Sequence, residues 1–273
     1  MNLYLLAAIA LLCALAGVAL GHAFSRLRWP YWTIGYFLPL FLILAYALAF
    51  PFPTIMFTPP FSWIMIGIRK YAALGFIATI VLTTPLSRIP RKRNRMMIAV
   101  LMVFMVFYLA IWPFLAPMMD RGQLSRLQTK FDNDGVCLQS TDYTCGPAAA
   151  VTALRKLGLT AEEGEMAILT CTSFQEGTPL DMLADALRRQ YAASGLSVHC
   201  RVFHSVSELK QAGVTLAVVK YGFFVDHWVA VLGATDSEVI VGDPLGGLER
   251  IPYQDFARKW RFIGIVLQRK MPI

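Results

Sequence analysis

Apolar residues run almost unbroken through the first half of the chain, and they alternate with polar ones in the second half. Four stretches are long enough to cross a bilayer, which takes roughly 20 apolar residues per helix. They are about Asn2 to Leu20, Tyr31 to Phe50, Tyr71 to Ile89 and Met96 to Met118. The third is preceded by an interfacial stretch ending at Arg69-Lys70. Trp29, Tyr31, Trp32, Trp63 and Trp112 fall near the predicted span ends, where amphipathic rings settle at the headgroup level. The first stretch has no basic residue before it, the earliest being Arg26, so it is expected to be a retained helix and not a cleaved signal peptide. Residues 1–118 are therefore expected to form a transmembrane helical domain, residues 119–133 a polar stalk, and residues 134–273 a separate soluble domain.

In the soluble half, Pro147 to Leu157 predicts a helix with Pro147 in its first turn, Arg155 and Lys156 in its last, and Gly158 as its stop. Ala161 to Leu169 and Pro179 to Tyr191 predict two more helices. Strands are expected at Leu196 to Phe203, Val214 to Val219, Trp228 to Leu232, Val239 to Val241 and Phe262 to Leu267, with a short helix over Pro252 to Trp260. Helices first and strands later suit an α+β domain better than a doubly wound parallel sheet.

Charge sharpens this division. The net charge of +8 looks like a nucleic-acid signal until it is placed along the chain. Residues 1–133 carry 12 basic residues against Asp120 and Asp132, a balance of +10, while residues 134–273 carry 13 basic and 15 acidic, a balance of −2. The basic excess lies between apolar segments, and the soluble part lacks the basic face that nucleic acid requires, so no nucleic-acid partner is expected. No Asp or Glu precedes Asp120, so the spans offer no carboxylate for proton or cation transport, which argues against a transporter or channel. The methionines of the fourth span (Met96, Met97, Met102, Met105) are flexible apolar filler on a lipid-facing or packed helix. Arg26 and Arg28 follow the first span, and Arg88, Arg91, Lys92, Arg93 and Arg95 separate the third from the fourth. With both clusters cytoplasmic, against Arg69 and Lys70, the soluble domain is expected outside the cytoplasm.

The five cysteines, at 13, 137, 145, 171 and 200, contain no C-x-x-C pair and match no zinc pattern. His199 and Cys200 sit on opposite faces of their strand, so with His204 they do not make a ligand set. No metal and no cofactor is called for. Cys137, Cys171 and Cys200 read as structural thiols, although a location outside the cytoplasm would permit one disulfide. His22, His199 and His204 read as structural.

Cys145 differs from the other cysteines. The run Gln139-Ser140-Thr141-Asp142-Tyr143-Thr144-Cys145-Gly146-Pro147 sets it at a helix N-terminus, where the dipole and free backbone N–H groups favour an anion, so thiolate should be more available. Gly146 removes bulk beside the sulfur. Gln139 could donate, together with the Cys145 N–H, to the oxyanion of a tetrahedral intermediate. A nucleophile needs a positioned base. His227 stands at the start of an apolar strand, and a hairpin through Ala234 to Ser237 would return Asp243 to its level, where it could accept the imidazole N–H and fix the tautomer. Asp226 competes for that role but neighbours His227 on the strand and should face away. Gly246-Gly247 reads as a turn. Cys, His, Asp in this order, with the nucleophile on a helix and the others on strands, is the papain-like arrangement.

From about Gly135 to Gln268 the sequence resembles the C39 peptidases, the bacteriocin-processing type that cleave leader peptides after a Gly-Gly pair. The resemblance rests on Gln139 six residues before Cys145, the Cys-Gly pair with its helix, His227 opening a hydrophobic strand, Asp243-Pro244, and the close Asp255-Phe256 to Trp260 followed by an apolar strand. It departs at Thr144, where many members have Asp. It implies oxyanion, nucleophile, base and orienting roles for Gln139, Cys145, His227 and Asp243, in a papain-like cysteine peptidase domain carried on a membrane anchor. It also implies a peptide or protein substrate, membrane lipid around the spans and a separate export system as partner, with double-glycine leader sites as the cleavage point by analogy. The chain has no G-x-x-x-x-G-K-[ST] loop, so ATP-driven export by this chain is not expected. The alternatives are a non-cleaving peptide-binding module accessory to an export system, against which Cys145 speaks, and an acyltransferase that passes the acyl-enzyme to an amine.

Overall fold

A computed structural model describes residues 3–49, 67–222 and 225–269, with Phe52, Ile55, Phe61 and Ile64 between the first two ranges. Asn2, Phe50 and Trp63, named above at span ends, lie outside the described residues. The chain divides into two compact units, Met1–Ala116 and Pro117–Ile273.

The first unit is helical. Helix α1 (Leu3–Ser25), helix α2 (Ile34–Ala49, entered through a 3-10 turn at Tyr31–Thr33) and helix α4 (Lys92–Leu124) are long and apolar enough to cross a membrane. The third expected span is shorter than its apolar stretch. Helix α3 (Lys70–Thr83) ends two residues before Pro85, which has no N–H to continue it, and at ~1.5 Å per residue it is shorter than the hydrocarbon core. α3 is instead gripped by α1. Gly17 and Gly21, four residues apart, bring the two backbones together: a Cβ on Gly17 would lie 2.5 Å from Phe76 O and one on Gly21 2.9 Å from Ile80 O. Small residues at this spacing let apolar helices approach closely. At one end of this unit Arg88 Nη2 donates to Leu27 O at 2.6 Å and its guanidinium lies over the Trp32 ring, which joins the ends of α1 and α3. α4 contains a π turn at Phe107–Ile111 and runs to Leu124, beyond the expected end at Met118.

Residues 119–133 do not form a free stalk. After α4, a small hairpin pairs β1 (Lys130–Phe131) with β2 (Cys137–Leu138), its turn held by Asp132 Oδ1, which accepts from the amides of Asp134 and Val136. Asp120 accepts from the Phe174 amide, and Leu124 is fully buried.

The rest of the second unit is an α+β domain. Helices α5 (Cys145–Lys156), α6 (Glu163–Leu169) and α7 (Leu180–Gln190) precede β3 (Leu196–Val202), a short helix α8 (Leu209–Ala212), β4 (Val214–Gly222), β5 (Val225–Ala234), β6 (Glu238–Asp243), β7 (Gly247–Pro252), α9 (Tyr253–Lys259) and β8 (Trp260–Arg269). One antiparallel sheet has the order β3-β8-β4-β5-β6-β7. α5 lies across β5 with β4 and β6 beside it, and its Ala148–Leu154 stretch is buried. The other sheet face buries Val219, Val229, Val231, Val239 and Val241 against Phe203, Phe256 and Trp260. Helices precede strands as the apolar pattern predicts, but β7 carries no such pattern, because its Leu248, Glu249 and Arg250 are exposed and give no apolar run. The turn into α8 is closed by a capping box of Ser205 and Glu208, whose S-x-x-E spacing stands in the sequence.

The approach of α5 to the sheet depends on Gly242. A Cβ there would lie 2.9 Å from Thr152 Cγ2 and 3.3 Å from Val136 Cγ2. Thr152 cannot easily yield, because its hydroxyl accepts from the Cys137 amide and donates to Ala148 O. Gly242→Ala should therefore cost ~1–3 kcal/mol, as overpacking does, read as a lowered denaturant midpoint with unchanged slope. An unchanged midpoint would show that the helix has room to move.

Candidate functional site

Cys145 opens α5 after a tight turn in which the Thr144 amide donates to Thr141 O and the Thr144 hydroxyl bonds Thr141 as well. Thr144 is fully buried, so the position that departs from the resemblance is filled by a side chain that closes the turn. The amides of Cys145 and Gly146 lie in the first helical turn, where no intrahelical acceptor exists for them, and both point their N–H dipoles toward the N-terminal end of the helix. Gly146 was expected to clear space beside the sulfur. The space its Cβ would take is occupied instead by Thr178, with three side-chain atoms at 2.5–2.8 Å from the added carbon. Thr178 O in turn accepts from Trp228 Nε1 at 3.0 Å. The helix that carries Cys145 is thereby fastened to the strand that carries His227.

His227 lies on β5 and is 6% exposed. The β5–β6 ladder pairs Ala230 with Gly242, so Asp243, one residue on, faces the level of Val229. By strand alternation it shares a face with Val229 and His227 and reaches His227 diagonally. His227 Nε2 is 2.8 Å from Asp243 Oδ1. That oxygen also accepts from the Leu245 amide at 2.8 Å. The second ring nitrogen, Nδ1, is not used by Asp243, and Cys145 lies close enough to the ring to act on its charge. His227 stands opposite Val219, and two residues further along β4, where the register shifts between Lys220 and Gly222, the Tyr221 ring lies 5.6 Å from that of His227. A cavity of about 310 Å³ opens beside His227 and Asp243, lined by buried Val219, Val229, Val241 and Phe256 and by exposed Lys220 and Glu249.

Burial opposes a charged imidazole here. The hydrogen bond with Asp243 and then the hydrogen bond and charge of Cys145 outweigh it, and His227 is pushed up from 6.5 to about 9. Burial likewise works against the Asp243 carboxylate, but the bonds from His227 and the Leu245 amide hold it below its ordinary range. Elsewhere burial dominates. It pushes the Cys137 thiol up to about 12, with Glu163 and Glu162 adding to the effect, and it raises Cys171 as well. Cys200 is exposed on β3.

Of the residues singled out from the sequence, Cys145, His227 and Asp243 are brought together. Gln139 is tied to the same loops, since its amide donates to Pro244 O at 3.0 Å. One N–H of its carboxamide goes to Thr141 O at 2.9 Å, while its Oε1 is buried without a partner. Asp226 points elsewhere and binds Arg261. Gly246-Gly247 forms the turn between β6 and β7, with Gly247 at φ +83°. Thr178 and Glu163 were not singled out. Thr178 carries no motif, and a Glu in the first turn of a helix ordinarily reads as a solvent-facing partner of the dipole. Among the described residues no group of His, Cys, Asp and Glu is disposed to hold a metal.

The family model described as the Peptidase C39 family matches residues 134–271. An uncharacterized protein of Methanothermobacter marburgensis is 30% identical over 132 residues, covering 48% of this chain and 87% of that protein. The peptidase domain of Streptococcus ComA, a bi-functional ABC transporter involved in a quorum-sensing pathway, is similar at 20% identity over 49% of this chain and 96% of its own, with a TM-score of 0.43. A double glycine motif protease from an AMS/PCAT transporter, solved with its leader peptide, is similar at 19% identity over 54% of this chain and 96% of its own, with a TM-score of 0.42.

A His227 raised in the folded chain binds its proton more tightly there than when unfolded. Its contribution to stability is complete below pH 6.5 and is lost as pH rises through about 9. The His227 ring should titrate near that upper value in an NMR titration, and Asp243→Asn should bring it down toward the ordinary value. A ring that titrates at the ordinary value in both chains would contradict the pairing.

Proposed function

The chain belongs to the peptidase C39 family, and from that premise we propose that it is a membrane-anchored cysteine peptidase that cuts peptide substrates. The observation that carries this reading is the His227 ring, held by Asp243 at 2.8 Å with the Cys145 side chain near enough to raise its charged form. In this reading the Cys145 thiolate attacks the carbonyl carbon of the scissile bond. The oxygen becomes an oxyanion that takes hydrogen bonds from the Cys145 N–H and from the second N–H of the Gln139 carboxamide. His227 Nδ1–H gives its proton to the leaving amine, and the C–N bond breaks to leave a thioester on Cys145. A water then loses a proton to Nδ1 and attacks the thioester, which releases the acid and restores the thiolate–imidazolium pair. Asp243 remains ionised throughout and holds the ring in the tautomer that presents Nδ1 to the sulfur.

The charged pair also sets the working pH range. Activity should fall on the alkaline side as His227 loses its proton at about 9.

The substrate is read as a peptide, with a double-glycine leader site as the candidate cleavage point and a separate export system as the candidate partner. The helices α1 to α4 serve as the anchor; α3, though short, runs alongside α1 in the same direction, with Gly17 meeting Phe76 and Gly21 meeting Ile80, and so returns the chain between α2 and α4 to the end where α1 exits. Arg88 bridges to the end of α1, so the Arg26–Arg28 and Arg88–Arg95 clusters sit at one end of the helical unit, which supports a common cytoplasmic side for both. The peptidase domain is then outside the cytoplasm.

Cys145→Ala should abolish cleavage of a leader-type peptide while leaving the thermal transition in place. Iodoacetamide at near-neutral pH should label Cys145 ahead of the other cysteines. Gln139→Ala should lower kcat by ~100-fold or more with KM little changed. Peptide binding without turnover in the wild-type chain would support the non-cleaving module instead. For sidedness, alkaline phosphatase fused after Ile273 should be active, whereas fluorescence from a reporter that matures only in the cytoplasm would invert the orientation.

A further inference from the structure

Glu163 is the one fully buried carboxylate among the described residues. It opens α6, outside the Cys145–His227–Asp243 cluster, and no cation pairs with it among the described residues. Taking a carboxylate out of water without a cation is costly, so hydrogen bonds must compensate for what water gave it. Both of its oxygens are used on a single residue: Oε1 accepts from the Ser140 amide at 2.8 Å and Oε2 from the Ser140 hydroxyl at 2.5 Å. The hydroxyl bond has the short length of an O–H donor to a carboxylate, a stronger class of bond than one between neutral groups. Glu163 is itself held in place, because its amide donates to Thr129 Oγ1 at 2.8 Å.

Ser140 directly follows Gln139. The Gln139 amide is bonded to Pro244 O, and Pro244 directly follows Asp243. The Gln139–Ser140 pair is therefore stretched between two anchors, the buried carboxylate of α6 and the turn that carries Asp243. With its backbone fixed on both sides, Gln139 has one carboxamide N–H committed to Thr141 O, which sets the plane of the amide and the direction of the other N–H.

We propose that Glu163 is a positioning residue for the Gln139 carboxamide, acting through Ser140. This rests on the reading of Gln139 as an oxyanion donor. Glu163 touches neither Cys145 nor substrate; it sets where the donor stands. A displacement of about 1 Å in such a donor weakens its bond to the transition state far more than its contact with bound substrate.

The test is a double-mutant cycle on the full-length protein in detergent, with a leader-type peptide as substrate. Glu163→Gln keeps the size of the side chain and removes its charge. Ser140→Ala removes only the hydroxyl bond and serves as the milder second variant if the first folds poorly. Each should lower kcat by ~10-fold to ~100-fold with KM little changed. The alkaline limb should stay at about 9, because His227 is untouched. In a Gln139→Ala background each should change kcat by less than ~2-fold, since the donor they position is gone. A loss of equal size with and without Gln139, or a loss carried by KM, would overturn the inference while leaving the peptidase reading intact. A wild-type chain that turns over no peptide would overturn the reading itself and this inference with it.

Discussion

The close contact of helix α5 with the sheet is the constraint from which the site follows. Cys145 is the first residue of that helix, whereas His227 and Asp243 belong to strands reached after three further helices and two strands. Only a rigid seating of the helix can hold a sulfur beside a ring so distant in sequence. The seating is made by missing side chains. Gly242 lets β6 come up against Thr152 and Val136, Gly146 lets Thr178 into the first turn, and the Ala148–Ala149–Ala150 run keeps the buried face low. The Trp228 indole bond to Thr178 O then fixes the distance between the helix and β5.

The electrostatics depend on that same contact. Buried histidines and thiols ordinarily shift toward their neutral forms. Cys137 does so, since burial and then the two glutamates beside it oppose its thiolate, and it rises to about 12. His227 is as deeply buried but moves toward its charged form, to about 9, because the bond with Asp243 and the nearby Cys145 side chain outweigh burial. Two residues of similar burial thus diverge because of what surrounds them. The price of holding Asp243 charged is met by its amide bonds from Leu245 and Gly246, which the β6–β7 turn supplies.

The helical unit follows different physics. Between apolar helices there is little hydrophobic gain, so contact depends on shape, and Gly17 and Gly21 provide it by admitting α3 against the α1 backbone. That accounts for a helix as short as α3 having six buried residues while α4 has its methionines Met96 and Met97 well exposed.

The sequence by itself determined the α+β character and the run of helices before strands, and it singled out Cys145, His227 and Asp243 as candidates for one site. Those properties are local: a Pro two residues after Cys145, a His at the head of an apolar strand and an Asp at the end of the next one each declare their element from near neighbours. It also marked the apolar stretches, because length and hydropathy suffice for that. Tertiary structure decided the rest. The reason for Gly146 is Thr178, 32 residues away, and no local pattern marks that contact. β7 is an exposed edge strand whose identity comes from pairing with β6 and not from an apolar run of its own. Glu163, with Glu162 and Glu165 around it, has the local signature of a solvated helix start. It is buried because the Gln139–Ser140 loop folds over it, and a carboxylate can remain there only because that loop brings its donors along.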